Sequence, residues 1–240
     1  MISEIDILAI GAHPDDIEIG AGGTLIKHVK MGFKVGLLDL TLGELGTRGD
    51  VETRLKEAEI SKDIIGAEFR ENLALKDGFI RDDEDSILKL VAIIRQHRPK
   101  IILCNAIKDR HPDHGSAANL VSKASFTAGL AKITTNHQGN SQAAFRPNAV
   151  YHYIQDRWID PDFIVDISSE FEDKMKAITS FKSQFYNPES DEPDTPISSK
   201  EFLSSIKSKA ILWGRTISST YGEGFTKSRA LGVNNIFDLK

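Results

Sequence analysis

The chain alternates short apolar runs with longer segments whose apolar residues recur at helical spacing. The first run, I-D-I-L-A-I-G-A at 5–12, is nearly continuous, as expected of a parallel strand buried on both faces. A helical segment follows over about 17–31, and Gly32 supplies a C-terminal stop. K-V-G-L-L-D-L at 34–40 reads as a second strand. The glycine-rich loop L-G-E-L-G-T-R-G-D then leads to a helix at about 51–65 that Asp50 can cap. Glu68–Leu75 is a weaker third strand. Segment 83–97 opens with acidic residues and ends with Arg95 and His97, the polarity that complements a helix macrodipole, and Pro99 closes it. Lys100–Asn105 gives a fourth strand and 115–131 a fourth helix.

This β-α repetition predicts an α/β fold with a doubly wound, mostly parallel sheet and helices on both faces. No domain boundary or repeat interrupts it, so 1–240 is expected to be a single domain, with regular β-α units to about 131. The pattern loosens over 132–240, where strands are expected near 148–154 and 163–167 and helices at about 169–184 and 199–219. Between those helices, N-P-E-S-D-E-P-D-T-P is acidic and proline-rich. It reads as a loop over 187–196, either a flap over a site or a surface contact.

Composition narrows the function. The chain is 40% apolar and 27% charged, ordinary globular values. A net charge of −5 without a long basic run argues against nucleic-acid binding. The N-terminus lacks the basic region of a signal peptide, and no apolar run approaches the roughly 20 residues of a membrane span. The single cysteine, Cys104 in I-I-L-C-N, reads as a small buried hydrophobe and suits a reducing cytoplasm.

Two tetrapeptides carry the chemistry: His13-Pro14-Asp15-Asp16 and His111-Pro112-Asp113-His114. Each follows an apolar strand. Proline pushes the preceding histidine into an extended conformation and can itself open a helix. Each motif thus offers two metal-capable side chains around one strand-to-helix corner. In a sheet of order 3-2-1-4-5, strands one and four are neighbours, and both corners meet at the crevice where ligands bind. His13, Asp16 and His114 would form a His-Asp-His set that suits zinc or Fe(II) alike. Zinc can lower the pKa of bound water to about 7. Asp15 is then a candidate proton acceptor, His111 an oxyanion stabiliser or a proton donor to a leaving amine, and Asp113 a carboxylate that orients His111. Either motif alone is also consistent with a plain turn and an N-capping aspartate. Both together, after strands one and four, favour metal-assisted hydrolysis of an amide or ester.

At these residues the sequence resembles the PIG-L/LmbE zinc-dependent N-deacetylases, through A-H-P-D-D-I-E-I-G-A-G-G-T and H-P-D-H-G. D-L-T-L-G-E-L-G-T-R-G-D and the ending L-G-V-N-N-I-F-D-L are similar to the bacillithiol-biosynthesis branch, which deacetylates N-acetylglucosaminyl-malate. The resemblance implies a Rossmann-like fold and a homo-hexamer. It also implies His13, Asp16 and His114 as ligands of Zn2+, with Fe2+ an alternative in the cell. Asp15 is implied as general base and His111, backed by Asp113, as oxyanion or leaving-group partner. Arg54 and Asp77 are implied as sugar-binding residues, and Tyr186 as a mobile tyrosine near the substrate. A malate carboxylate would find a bidentate partner in Arg48 or Arg54.

Other readings predict other features. A dinucleotide site is disfavoured because no G-x-G-x-x-G follows strand one, although Asp39 ends strand two; the glycines of G-A-G-G-T fit close helix packing better. A broader N-acetylglucosamine or chitooligosaccharide deacetylase, a non-enzymatic metal-binding module and a metal-dependent phosphoesterase remain as alternatives. His28 and His97 are expected on helix surfaces, His137 in a loop and His152 in strand-face packing. Trp158 and Trp213 are expected in the core, with Trp158 close enough to the sheet's end to meet substrate.

Overall fold

A computed structural model describes residues 4–137 and 139–238. Residues 1–3, ahead of the expected first strand, and Leu239 of the C-terminal motif lie outside them. A seven-stranded sheet has the order β3-β2-β1-β4-β7-β9-β8. Its members are β1 (Ile7–Gly11), β2 (Val35–Thr41), β3 (Phe69–Leu75), β4 (Ile101–Cys104), β7 (Ala149–Tyr153), β8 (Phe163–Asp166) and β9 (Gly222–Lys227). A hairpin of two-residue strands, β5 (Asn136–His137) and β6 (Asn140–Ser141), stands apart. The helices are α1 (Asp16–Lys30), α2 (Val51–Ile65), α3 (Glu84–His97), α4 (Pro112–Ala128), α5 (Phe171–Thr179) and α6 (Lys200–Thr216). None among the described residues is long and apolar enough to cross a membrane.

The first five strands of the sheet pair in parallel, as expected, and the neighbour order of strands one to four matches the sequence reading. The fold departs from that reading at the far edge. There β9 inserts between β7 and β8 and runs antiparallel to both. Its sequence, G-E-G-F-T-K, lacks the alternation that identifies a strand. The helix expected over 169–184 is shorter, ending at Thr179, and the chain then folds irregularly to Tyr186.

Side chains on successive strand positions point to opposite faces. Leu8 and Ile10 pack with Leu38, Leu90, Val91, Ile94 and Val121 beneath α3 and α4. Ile7 and Ala9 pack with Val35, Leu37, Ile17 and Leu25 beneath α1. Burying each such side chain contributes about 1.5–3 kcal/mol, so the central strands are held from both sides. Helix starts are fixed by side-chain caps: Asp50 accepts from Thr53 N at 2.7 Å and Asp83 from Ser86 N at 2.9 Å.

Helix α1 packs against the sheet through positions where only glycine fits. A Cβ on Gly20 would stand 2.1 Å from Cδ2 of Tyr153, whose hydroxyl donates to Ile10 O at 2.8 Å and so fixes the ring. On Gly23 it would meet Ile167 at 2.8 Å, whereas on Gly22 it would make only a 3.4 Å contact with Lys174. Between them Glu223 accepts the amides of Gly23 and Thr24 at 2.9 and 2.7 Å, neutralised by Lys174 at 2.6 Å. The close packing anticipated from G-A-G-G-T thus locks α1 against β7 and β9.

Several isolated polar and aromatic residues sit differently from expectation. His97 is buried, stacked on Phe69 and paired with Glu71 at 2.9 Å, because the end of α3 tucks against edge strand β3. Asp39, which could have lined the crevice or simply ended the strand at a turn, is not among the residues lining the cleft beside the two motifs. It forms a bidentate pair with Arg70 at 2.7 and 2.9 Å, and Arg70 also reaches Glu18 at 2.6 Å. Trp213 is in the core, but Trp158 is 51% exposed and only tilts against it. His28 is on a helix surface and His152 is buried beside Cys104, as expected, while His137 belongs to the small hairpin.

The glycine contacts give a paired expectation. Gly20→Ala should lower stability by about 1–3 kcal/mol through overpacking against Tyr153. Gly22→Ala should be neutral or stabilising, since it gains helix propensity without a clash. Thermal unfolding of both checks this; equal melting temperatures would contradict the packing account.

Candidate active site

Strands β1 and β4 pair in register, Ile7 opposite Ile101, so the loops that leave their carboxyl ends share one end of the sheet. The β1 loop turns at once into α1. That sharp corner puts Asp15 at φ 128°, a conformation rarely adopted by residues other than glycine, and its cost is of order 1–3 kcal/mol. The β4 loop is longer and reaches α4 with Pro112 in the first helical position. The two His-Pro-Asp motifs end up face to face. The ring centroids of His13 and His111 are 4.6 Å apart, those of His111 and His114 5.3 Å, and those of His13 and His114 5.7 Å.

Asp16 is the centre of this cluster. Its Oδ2 lies 3.5 Å from His13 Nδ1 and its Oδ1 3.2 Å from His114 Nε2. The other nitrogen of each ring is held by a second carboxylate. His13 Nε2 is 3.0 Å from Asp77 Oδ1, with Asp113 Oδ2 at 3.5 Å. His114 Nδ1 is 2.7 Å from Asp109 Oδ2. Each imidazole therefore bridges Asp16 and an outer carboxylate, the arrangement in which metal-binding histidines are held.

The electrostatics follow from that geometry. Burial opposes ionisation of Asp16, but the charge and hydrogen bond of His114, with those of His13, hold its carboxyl well below the usual range. Burial also opposes a charge on His114, yet Asp16 and Asp109 raise it to about 9, and His13 is likewise driven upward by Asp113, Asp16 and Asp77. Positive charge is strongly favoured beside Asp16. Asp15 behaves oppositely: burial raises it to about 7, with Arg54 only partly offsetting the effect. Burial and the neighbouring charges of His13 and His114 lower His111, leaving it neutral near pH 7.

The donor set fits a metal ion. Donors at zinc's usual bond lengths, arranged tetrahedrally, stand roughly 3.4 Å apart. His13 Nδ1 and His114 Nε2 stand 3.5 and 3.2 Å from different oxygens of Asp16, so one carboxylate faces both imidazoles at about that spacing, one oxygen to each. Ligand atoms of His13, His111 and His114 also lie within 4.8 Å of one another, as do those of His13, Asp77 and Asp113. A cation therefore has a ready place among these imidazoles and carboxylates, whichever subset holds it.

The motifs open on a cleft of about 200 Å³. His13, Asp15, Asp16, Arg54, Asp77, His111 and His114 all line it, and Leu45, Ile197 and Phe202 give it an apolar side. Arg54 is buried, 3.4 Å from Asp15 Oδ2 and 3.2 Å from Gly43 O, and it also donates to Gln184 Oε1. Other expected residues are placed differently. Asp77 does not present a free carboxylate: Oδ1 faces His13 and Oδ2 accepts Leu45 N at 2.9 Å. The carboxylate of Asp113 accepts Gly78 N at 2.7 Å, and it is the Asp113 backbone amide that donates to His111 Nδ1, at 3.2 Å. Tyr186 is not among the cleft's lining residues and has Lys200 over its ring at 4.8 Å. Arg48 is also outside the cleft, bonded to Ser190 at 2.6 Å, while Glu192 accepts Gly49 N at 2.7 Å. The 187–196 loop is thus fastened to the loop before α2, and the chain beyond it delivers Ile197 to the cleft.

Sequence reasoning missed Asn105, Asp109, Arg110, Gln155 and Asp156. All lie just after β4 or β7, so the available signal was polar residues trailing an apolar strand on the same side of the sheet as the motifs. Arg110 lines the cleft with Nε held by Asp156 at 2.5 Å.

Comparison with known proteins agrees with this picture. Residues 8–125 match the family model described as PIG-L, GlcNAc-PI de-N-acetylase. The diacetylchitobiose deacetylase of Thermococcus kodakarensis is 32% identical, over 75% of this chain and 70% of its own length. The 4-oxalmesaconate hydratase of Pseudomonas putida is 26% identical, over 74% and 73% of the two chains. Among solved structures, the conserved protein TT1542 of Thermus thermophilus superimposes with a TM-score of 0.85, at 32% identity, over 96% of this chain and 98% of that one. Motifs, fold and relatives agree, and the chain belongs to the PIG-L family.

Proposed function

We propose that the protein is a zinc-dependent N-deacetylase that hydrolyses the acetamide of an N-acetylglucosaminyl substrate. The observation that carries this reading is Asp16 set between His13 and His114, with Asp15 and His111 on the same cleft. His13, Asp16 and His114 would hold the metal, and Fe(II) is an alternative for the same donors. Bound zinc supplies Lewis acidity and lowers the pKa of a water molecule.

The remaining chemistry falls to side chains. Asp15, raised to about 7 by burial, is basic enough to accept a proton from the attacking water near neutral pH. The Asp113 amide occupies His111 Nδ1, which places the ring proton on Nε2. A neutral His111 can therefore donate to the oxygen that gains charge as water adds to the acetyl carbonyl. When the carbon–nitrogen bond breaks, the proton held by Asp15 passes to the leaving amine, giving acetate and the free amino sugar. Asp77 and Asp109 hold the outer nitrogens of the two imidazoles, so Asp77 serves the site as an orienting carboxylate as much as a sugar contact.

The finer reading is N-acetylglucosaminyl-malate deacetylation in bacillithiol biosynthesis by a hexamer, as the branch resemblance implies, in the reducing cytoplasm that the single cysteine suits. The cleft floor is rich in carboxylates, so an anionic aglycone needs a cation elsewhere. Arg54 is committed to Asp15, Gly43 and Gln184, whereas Arg110 has only its Nε engaged in side-chain bonding among the described residues, and it faces the same cleft. Arg110 is the better partner for the malate carboxylate than Arg48 or Arg54.

Acetate release should be abolished by a chelator and restored by zinc. Asp15→Asn should keep the metal and lower kcat by about 10²–10⁴-fold. Survival of turnover would remove Asp15 as the base, and acetate release unaffected by chelation would remove the metal. Arg110→Ala should lower kcat/KM on the malate conjugate by about 10–100-fold, the worth of one charge-assisted contact, and by far less on methyl N-acetylglucosaminide. Equal losses on both substrates would sink the carboxylate contact.

A further inference from the structure

The carboxylate of Asp16 is held by more than its two histidines. Asn105 Nδ2 donates to Oδ2 at 2.9 Å, and Gln155 Nε2 donates to Oδ1 at 2.7 Å. The His13 amide adds a third bond, to Oδ2 at 3.0 Å. Asn105 and Gln155 are both buried, at 0% and 4% exposure, one just beyond β4 and the other just beyond β7.

The direction of this network is fixed by the backbone. The Ala12 amide can only donate, and it donates to Asn105 Oδ1 at 2.8 Å. Asn105 must therefore turn Nδ2 inward, where its second proton goes to Gln155 Oε1 at 2.8 Å. With its oxygen taken, Gln155 can present only Nε2 to Asp16. The order of donors and acceptors runs one way, from the end of β1 through two side-chain amides to the carboxylate. Flipping Asn105 would break three bonds at once, and flipping Gln155 two. The Gln155 backbone is also fastened, since Lys209 Nζ donates to its carbonyl and, at 2.8 Å, to that of Asp156.

Oδ1 of Asp16 thus receives one amide proton, from Gln155, and Oδ2 receives two, from Asn105 and the His13 backbone, while His114 and His13 stand at the same carboxylate. We infer that Asn105 and Gln155 are positioning residues of the reaction centre: they set the orientation of the Asp16 carboxylate toward its cation. The inference rests on the reading of His13, Asp16 and His114 as the metal-holding set. A purely structural role, tying together the ends of β1, β4 and β7, would affect folding without changing how the site holds a metal.

Gln155→Met in the full chain separates the two, because it keeps side-chain length while removing the donor. Zinc affinity is read by competition with a colorimetric chelator, alongside thermal unfolding and steady-state kinetics. The expected result is a folded protein whose zinc Kd is weakened by about 10–100-fold, with kcat reduced more than KM is raised. Asn105→Ser removes the donor to the other oxygen and gives an independent comparison should Gln155→Met fold poorly. A folded variant whose zinc Kd stays within about two-fold of the unaltered protein overturns the inference, as does an unaltered protein that binds no zinc. An unaltered protein that binds zinc but releases no acetate overturns the deacetylase reading alone, and the affinity comparison still decides the inference.

Discussion

Everything at the cleft depends on the parallel pairing of β1 with β4. Two tetrapeptides almost a hundred residues apart become one site only because those strands are neighbours and point the same way. The pairing is secured far from the chemistry, by apolar side chains above and below the sheet and by glycines that let α1 settle against Tyr153 and Ile167. A shift of β4 by one position would reverse the facing of its side chains and carry His111 and His114 away from Asp16.

The site also concentrates charge where charge is costly. Asp15, Asp16, Asp77, Asp113, His13 and His114 are all buried. The arrangement is tolerable because the carboxylates that ionise readily, Asp16, Asp77 and Asp113, are those with imidazole and amide partners. Asp15 lacks such support. It sits on a strained backbone with a distant guanidinium for company, and it is the carboxylate pushed up toward neutrality. Strain and an upward-shifted carboxyl coincide at the one residue whose proposed task is to gain and lose a proton.

Much of this was legible in the sequence, for identifiable reasons. Strands β1, β2 and β4 are apolar runs bounded by turns, and α3 announces both its ends by charge. The two motifs stood out because proline and histidine together restrict the backbone at a strand end. What stayed hidden depended on contacts between distant segments. His97 was misplaced, and the pairing of Asp39 with Arg70 went unseen, because their partners Glu71 and Arg70 belong to β3, and no local pattern gives the register between strands. Strand β9 escaped because Gly222 and Gly224 are there to admit Ile164 and Trp213, a packing demand with no hydrophobic signature. Asn105, Asp109 and Gln155 carry no spacing that marks them. Only the meeting of strand ends makes them partners of Asp16 and His114.

The central claim is that Asp16, flanked by His13 and His114, is where a metal is held. A crystal structure of the zinc-loaded protein, with anomalous scattering to locate the ion, tests it most directly. Zinc is expected on Asp16, His13 Nδ1 and His114 Nε2, with His13 Nε2 still on Asp77 and His114 Nδ1 still on Asp109. Zinc held instead by His13 Nε2, Asp77 and Asp113 would contradict it.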